Sequence, residues 1–358
     1  IRSVSLKDIH TIYFIGIGGI GMSALARYFF TIGKDVAGYD KTSTRITTDL
    51  EKLGIQIHFN DSLGLIPENF KHKNTTLVVY TPAVSSDRSE LKFFTNNGFL
   101  VMKRAEVLGL ITKDTFCFAV AGTHGKTTTS AVLGHIMQPY NATSFLGGIS
   151  ENYGSNLILG ADEVSVVEAD EFDRSFLTLS PDLACITSMD ADHLDIYGTT
   201  DEIEKTFKAF AHKVAPEKRF IRHGLRVEGN TFGIGEGDYS IVNLRTQHGH
   251  YVFDFKTPKT TISNIVLPYP GRHNLLNATA ALALALEVGC TADALKEGLA
   301  TFKGIDRRFS IRLTTPKVVI DDYAHHPTEV NAVVDALEAF YPNKRTLGVF
   351  QPHLFSRT

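Results

Sequence analysis

Phe116-Cys117-Phe118-Ala119-Val120-Ala121-Gly122-Thr123-His124-Gly125-Lys126-Thr127-Thr128 is the stretch whose reading decides the fold. Six apolar residues read as a buried strand, two glycines as a tight turn, and the run from Thr127 onward as a helix. Strand, glycine turn and helix in that order form a phosphate loop, in which free amides at a helix N-terminus cradle a β-phosphate. Lys126 would then neutralise β/γ oxygens and the Thr127 hydroxyl would face Mg²⁺. Val120 stands where the usual GxxxxGK[ST] spacing has its first glycine. A chance Gly-Lys-Thr in a surface loop is the competing explanation, and the flanking strand and helix weigh against it.

Upstream, residues 11–17 and 36–39 read as strands around a helix at 22–32, and apolar runs at 77–80 and 99–102 extend the series. This predicts a mostly parallel sheet flanked by helices. Gly16, Gly18 and Gly21 make GxGxxG directly after the first strand, with Gly19 between them, and Asp40 closes the second strand where a carboxylate can meet a ribose. Alone this motif admits a dinucleotide, a UDP group or a plain packing turn. The polar residues 112–115 mark a first boundary, giving domains 1–113 and 114–314, and a fresh strand at 318–320 opens a third segment, 315–358.

Downstream of the phosphate loop, strands at 164–167 and 183–187 precede short β-like pieces over 220–267, read as an antiparallel section. An Ala/Leu-rich helix at 274–288 ends at Gly289, in a favoured C-cap position. The third segment reads as strand 318–320, helix 329–340 and strand 346–350.

Carboxylates cluster at strand ends. Glu168-Ala169-Asp170-Glu171 follows the 164–167 strand, and Glu168, nearest its end, is the expected Mg²⁺ ligand, since that ion takes few protein ligands. Asp190-Ala191-Asp192-His193-Leu194-Asp195 follows the next strand, and His193 could hold a second divalent ion. Asn274 and Asn277 lie three apart on one helix face. An amide there suits an adenine edge, although N-capping explains Asn274 equally well. Arg308 offers a planar guanidinium to a phosphate. Asp322 with His325 and His326, and Gln351-Pro352-His353-Leu354-Phe355-Ser356-Arg357, form polar clusters after the last strands. Adjacent His325 and His326 are not expected to converge on one ion.

The 358 residues exceed one hydrophobic core. Thirty-six basic against thirty-nine acidic residues leave a formal charge of -3, with no general pull toward nucleic acid or anionic membrane. Three widely spaced cysteines in apolar stretches read as buried free thiols. No leader and no apolar run near ~20 residues is present in this sequence, so a cytoplasmic location without membrane contact is expected. The sequence leaves the oligomeric state open.

Taken in order, GIGGIGMSALA, GTHGKTTT, EADEFDRSF, DADHLD, GRHNLLNA, DDYAHHPTEV and FQPHLFSRT resemble the Mur ligases of peptidoglycan synthesis over essentially the whole chain. The resemblance implies an α/β multi-domain architecture: a Rossmann-like N-terminal domain for a UDP-sugar, a P-loop ATPase central domain, and a Rossmann-like C-terminal domain of which this chain holds the start. It implies ATP-dependent ligation of L-alanine to UDP-N-acetylmuramate through an acyl phosphate, with Mg²⁺ as cofactor and Mn²⁺ able to substitute. Gly122, Thr123, His124, Gly125, Lys126, Thr127 and Thr128 become the ATP loop, and Thr127, Glu168 and His193 the metal ligands. Asn277 becomes the adenine contact, Arg308 a phosphate contact and Asp322 a ribose contact. His353 and Arg357 fall in the amino-acid site. Leu354 departs from the Arg that relatives often carry, and Phe207 stands where sister ligases carbamylate a lysine, although Lys205 and Lys208 lie nearby. A peptide-recycling ligase for the same sugar and an NAD-dependent oxidoreductase are the alternative activities.

Overall fold

The computed structural model describes residues 6–190, 199–247 and 249–351. The first region is a five-stranded parallel sheet of β1 (Thr11–Ile15), β2 (Asp35–Tyr39), β3 (Gln56–His58), β4 (Thr76–Tyr80) and β5 (Leu100–Lys103), in the order β3-β2-β1-β4-β5. Strand order reverses at β1, so a crevice opens at the carboxyl edge between β1 and β4, beside helix α1 (Ile20–Thr31). Helices α2 (Arg45–Lys52), α3 (Ser89–Asn96) and α4 (Arg104–Lys113) follow along the chain.

The second region is a ten-stranded sheet in which β6 (Phe116–Ala121) lies between β9 (Val164–Ala169) and β10 (Leu183–Ile186), all parallel, with β7 (Thr143–Ser150) and β8 (Ser155–Ile158) beyond β9. The β6–β9 register sets Glu168 opposite Val120, and the β6–β10 register sets Ile186 opposite Ala121. The carboxyl ends of three strands therefore meet at one turn. Helix α5 (Lys126–Met137) lies close to this sheet because Gly134 has no side chain: a Cβ there would fall 2.4 Å from Ser144 Oγ.

The section expected to be antiparallel over 220–267 is so only in its second half. Strands Arg219–Arg222, Asn230–Ile234 and Tyr239–Gln247 continue the parallel ladder, and only the pairings of His250–Lys256 run antiparallel. Short glycine-broken strands resemble hairpins in sequence, but the neighbouring parallel edge was available to receive them.

The two sheets share an apolar core that includes Ile12, Phe14, Val167 and Phe176. Asn156 strengthens the seam by donating from Nδ2 to Ser23 Oγ at 2.9 Å. In the third region, Ser310–Leu313 and Val319–Asp321 pair antiparallel and a helix follows at Pro327–Phe340. The strand expected at 346–350 does not form, and Leu347 and Val349 are 84% and 94% exposed. A strand needs a neighbour for its backbone groups, and the two-stranded ladder does not reach it.

On the far face of the first sheet, Glu90 is fully buried and accepts from Tyr13 Oη at 2.7 Å, with His58 Nε2 3.4 Å from its other oxygen. Burial lifts the Glu90 carboxyl to about 7, against the pull of the Tyr13 hydroxyl and the Ser62 amide. A folded pKa raised above the usual 4.5 favours the native state at low pH, and the benefit is lost as pH rises through about 7. His58, lowered by burial, contributes with the opposite sign. Glu90→Gln should therefore gain stability over wild type between pH 5 and pH 8 in urea unfolding; a pH-independent difference would contradict this.

Candidate active site

The turn after β6 is built for an anion. Gly125 caps α5 at φ 86° and no side chain caps the helix, which leaves its first amides open. The loop is held from below: His124 N donates to Ser188 Oγ at 2.7 Å, and Thr187 Oγ1 donates to Ala121 O at 3.1 Å. Only glycine fits at two positions, because a Cβ on Gly122 would lie 2.1 Å from Thr187 Oγ1 and one on Gly125 2.4 Å from Asn277 Oδ1.

Lys126 Nζ donates to both Glu171 oxygens, at 2.8 and 3.0 Å, and to Gly122 O at 2.6 Å. Burial would lower the ammonium's pKa, but Glu171, Asp170 and Glu168 outweigh it and raise it. Thr127 Oγ1 donates to Glu168 Oε2 at 3.2 Å, and the other Glu168 oxygen accepts from Gly147 N at 2.5 Å. Burial pushes the Glu168 carboxyl up, while the Gly147 amide, Lys126 and Arg308 pull it down. Glu171 was not singled out as the lysine's partner in the sequence, where it is one of three acids within four residues.

Two cavities flank this centre. The first, about 480 Å³, is lined by Gly19, Gly21, Arg104, Lys126, Glu168 and Asp170, and so joins the two glycine turns. The second, about 470 Å³, is lined by His124, Gly125, Asn277, Arg308, Asp322 and Glu329. Thr127 is buried, and Thr128 lines the second cavity.

Gly16, Gly18 and Asp40 do not line the first cavity. Asp40 braces the glycine turn, accepting from Gly18 N at 2.7 Å and Thr42 N at 3.1 Å. Arg104 was not anticipated: its guanidinium lies 2.9 Å from where a Gly21 Cβ would be, over the N-terminus of α1, and 3.4 Å from Asp170. The signal was present as the basic pair Lys103-Arg104 at the end of an apolar strand.

Asn274 is not an N-cap. Gly271, at φ 104°, takes that place, and Asn274 Nδ2 donates to Pro270 O from inside the helix Arg272–Glu287. Asp322 accepts from Phe309 N and Ala324 N, each at 2.7 Å. His325 and His326 diverge, one toward Tyr323 O and the other accepting from Thr328 N. Lys205 and Lys208 pair with Glu202 and Glu204, and Phe207 is buried. The three cysteines are free and buried. His193, His353 and Arg357 lie outside the described residues. Among the described residues no three His, Cys, Asp or Glu side chains converge as a metal cluster, and no helix is long and apolar enough to cross a membrane.

A Rossmann-like sheet joined to a phosphate-loop sheet, with a cavity spanning both glycine turns, defines a nucleotide-dependent enzyme acting on a second ligand. Residues 11–115 match the Mur ligase family, catalytic domain; 120–285 the Mur ligase middle domain; and 307–356 the Mur ligase, glutamate ligase domain. The UDP-N-acetylmuramate–L-alanine ligase of Flavobacterium psychrophilum is 56% identical over 99% of this chain and 80% of its own length, and that of Christiangramia forsetii is 55% identical with the same coverage. The crystal structure of a UDP-N-acetylmuramate–alanine ligase from Thermotoga maritima superposes with TM-score 0.82 at 31% identity, covering 93% of this chain and 78% of that one. This chain belongs to the Mur ligase family, and it is an ATP-dependent ligase.

The Lys126 pairing has a measurable consequence. Removing one partner of a buried ion pair leaves an uncompensated charge, at a cost of about 3–5 kcal/mol. Lys126→Met should destabilise the chain by about that much, and adding Glu171→Gln should recover at least half of it in urea unfolding. Additive losses would show that the pair is not coupled.

Proposed function

We propose that the chain joins L-alanine to the carboxylate of UDP-N-acetylmuramate, driven by ATP, in the synthesis of peptidoglycan precursors. The observation that carries this reading is the cavity running from the Gly19–Gly21 turn to Lys126 and Glu168. A sugar carboxylate held on the first region would reach the end of the phosphate loop without crossing solvent. Residues 1–113 serve the UDP-sugar, 114–314 the ATP, and 315–358 belong to a third region over the nucleotide.

The residues present fit a divalent ion. Thr127 Oγ1 and Glu168 Oε2 lie 3.2 Å apart, close to the about 3 Å between neighbouring oxygens of an octahedral Mg²⁺ site with bonds of about 2.1 Å. Thr127 and Glu168 would hold Mg²⁺, with Mn²⁺ able to take its place and His193 reserved for a second ion. Bound there, the ion supplies positive charge to the β/γ-phosphate oxygens.

The sugar carboxylate oxygen attacks the γ-phosphorus, its bond to the β-bridging oxygen breaks, and ADP leaves. The open amides of α5 hold the phosphates, while Lys126 and Arg308 take up charge as it spreads over the transferring group. The amine of L-alanine then attacks the acyl carbon. A proton leaves the nitrogen, and phosphate departs carrying the original carboxylate oxygen. Asn277 meets the adenine edge, and Asp322 meets the ribose. Arg104 and the N-terminus of α1 receive the diphosphate of the UDP-sugar. His353 and Arg357 take the amino-acid carboxylate.

With ¹⁸O in the substrate carboxylate, one labelled oxygen should appear in each phosphate released, and release should depend on L-alanine. Unlabelled phosphate would exclude the acyl phosphate. Release stimulated by a cell-wall tripeptide but not by L-alanine would reassign the acceptor. Lys126→Ala should lower kcat by about 10²-fold or more.

A further inference from the structure

Strand β7 touches both sides of the site. Gly147 N donates to Glu168, and at Gly148 a Cβ would fall 2.7 Å from Ile305 Cγ2 and 3.0 Å from Thr127 Cγ2. Past Gly148 the strand pairs with the segment that carries Arg308. Ser150 bridges antiparallel to Ile305, Asp306 N donates to Ile149 O at 2.8 Å, and Glu151 N donates to Gly304 O at 3.0 Å. Residues 147–151 therefore run without a break from the Glu168 carboxylate to the Arg308 segment.

Two side chains fasten this pairing at its ends. Asn152, in the turn between β7 and β8, donates from Nδ2 to Thr301 O at 2.9 Å and accepts from Lys303 N at 2.8 Å. Buried Ser310 donates from Oγ to Glu151 Oε1 at 2.8 Å, with Ile305 O 3.2 Å away. Between these ends Arg307 and Phe309, on either side of Arg308, hold φ of 59° and 48°. Bulky residues keep such a backbone only where surrounding contacts over-determine it. A passive connector would relax to an extended form. This one is held in a tight turn, with Arg308 N donating to Ile305 O at 3.0 Å and the Arg308 side chain lining the second cavity.

We propose that Asn152 and Ser310 are positioning residues for Arg308: they pin the 301–310 segment to the β7–β8 turn, so that the distance from Glu168 to Arg308 is set by one strand. A transferring phosphoryl group needs charge on both sides at once, and donors stabilise it best when they are already in place. Releasing the two ends would let the backbone at Arg307 and Phe309 relax and carry the guanidinium off its station. Neither the adenine contact nor the sugar side would be touched. The inference rests on the phosphate role proposed above for Arg308.

The test is calorimetric binding of ATP with Mg²⁺, adenosine and UDP-N-acetylmuramate to four chains: wild type, Asn152→Ala with Ser310→Ala, Arg308→Ala, and all three substitutions together. The Asn152→Ala, Ser310→Ala pair releases both ends and changes no charge. Kd for ATP should rise about three- to tenfold in that pair, with adenosine and the UDP-sugar unchanged. Asn152→Ala alone should show the same pattern at about two- to threefold, which keeps the test open if the pair does not fold. In the Arg308→Ala background the releasing substitutions should have no further effect on ATP, because residues acting through one group are not additive. An equal loss in both backgrounds, an equal loss for adenosine, or no loss at all would overturn the proposal while leaving the ligase reading intact. Arg308→Ala with wild-type ATP affinity would remove the phosphate role of Arg308 and the proposal together.

Discussion

A chain with a formal charge of -3 that handles a triphosphate must concentrate positive charge locally, and it does so with a largely buried lysine held against a carboxylate. Lys126 sits with Glu171 on one side and the Gly122 carbonyl on the other. Such an ammonium stays charged only because its neighbours compensate for lost water. The same neighbours occupy its hydrogen-bonding capacity, so a phosphate must displace them. Lysine, acid and glycine turn are therefore one unit, and the surrounding fold fixes the distances within it.

That fold does so through a single edge. Strands β6, β9 and β10 are adjacent and parallel, and their carboxyl ends deliver the phosphate loop, the Glu168–Glu171 acids and the Thr187–Asp190 support to one place. A one-residue slip of β9 against β6 would turn the Glu168 side chain to the opposite face of the sheet. Dense apolar packing on both faces opposes that slip: Val120 and Val166 are fully buried in one core, and Ala119 and Val167 in the other. The site's precision is thus a consequence of two-sided burial.

Local signals and spatial ones differ sharply in how legible they are in the sequence. The strand, glycine turn and helix around Gly122–Thr128 can be read because each element declares itself over a few residues, and Glu168 can be read because it ends an apolar run. Arg104, Glu171 and Glu329 escape because their importance lies in contacts with residues 83, 45 and 205 positions away in the chain, which no periodicity encodes. The strand expected at 346–350 fails for the opposite reason. Its residues favour a strand, but strand formation is a property of a pair, and among the described residues no strand pairs with it.

The placement of the two cavities argues that the loop works as a partition. Lys126 lines one cavity, His124 and Gly125 line the other, and buried Thr127 lies beside Glu168 at the boundary. A phosphoryl group passing from nucleotide to sugar acid need travel only across this boundary, so most of the catalytic gain available here is positional. The first two regions share a core and the Asn156 seam, which keeps the sugar side in register with the loop. The second cavity is completed by Arg308, Asp322 and Glu329 from the region after the central sheet. Its attachment is partly apolar, with Phe340 edge-on to Tyr251, and partly polar, through Asp322 on the Phe309 amide and Glu329 on His124, and hydrogen bonds of this kind can exchange partners where an apolar core cannot. Rigidity around the first cavity and exchangeable contacts around the second suit a two-substrate ligase, in which a reactive intermediate must stay fixed and dry while a spent nucleotide is free to leave.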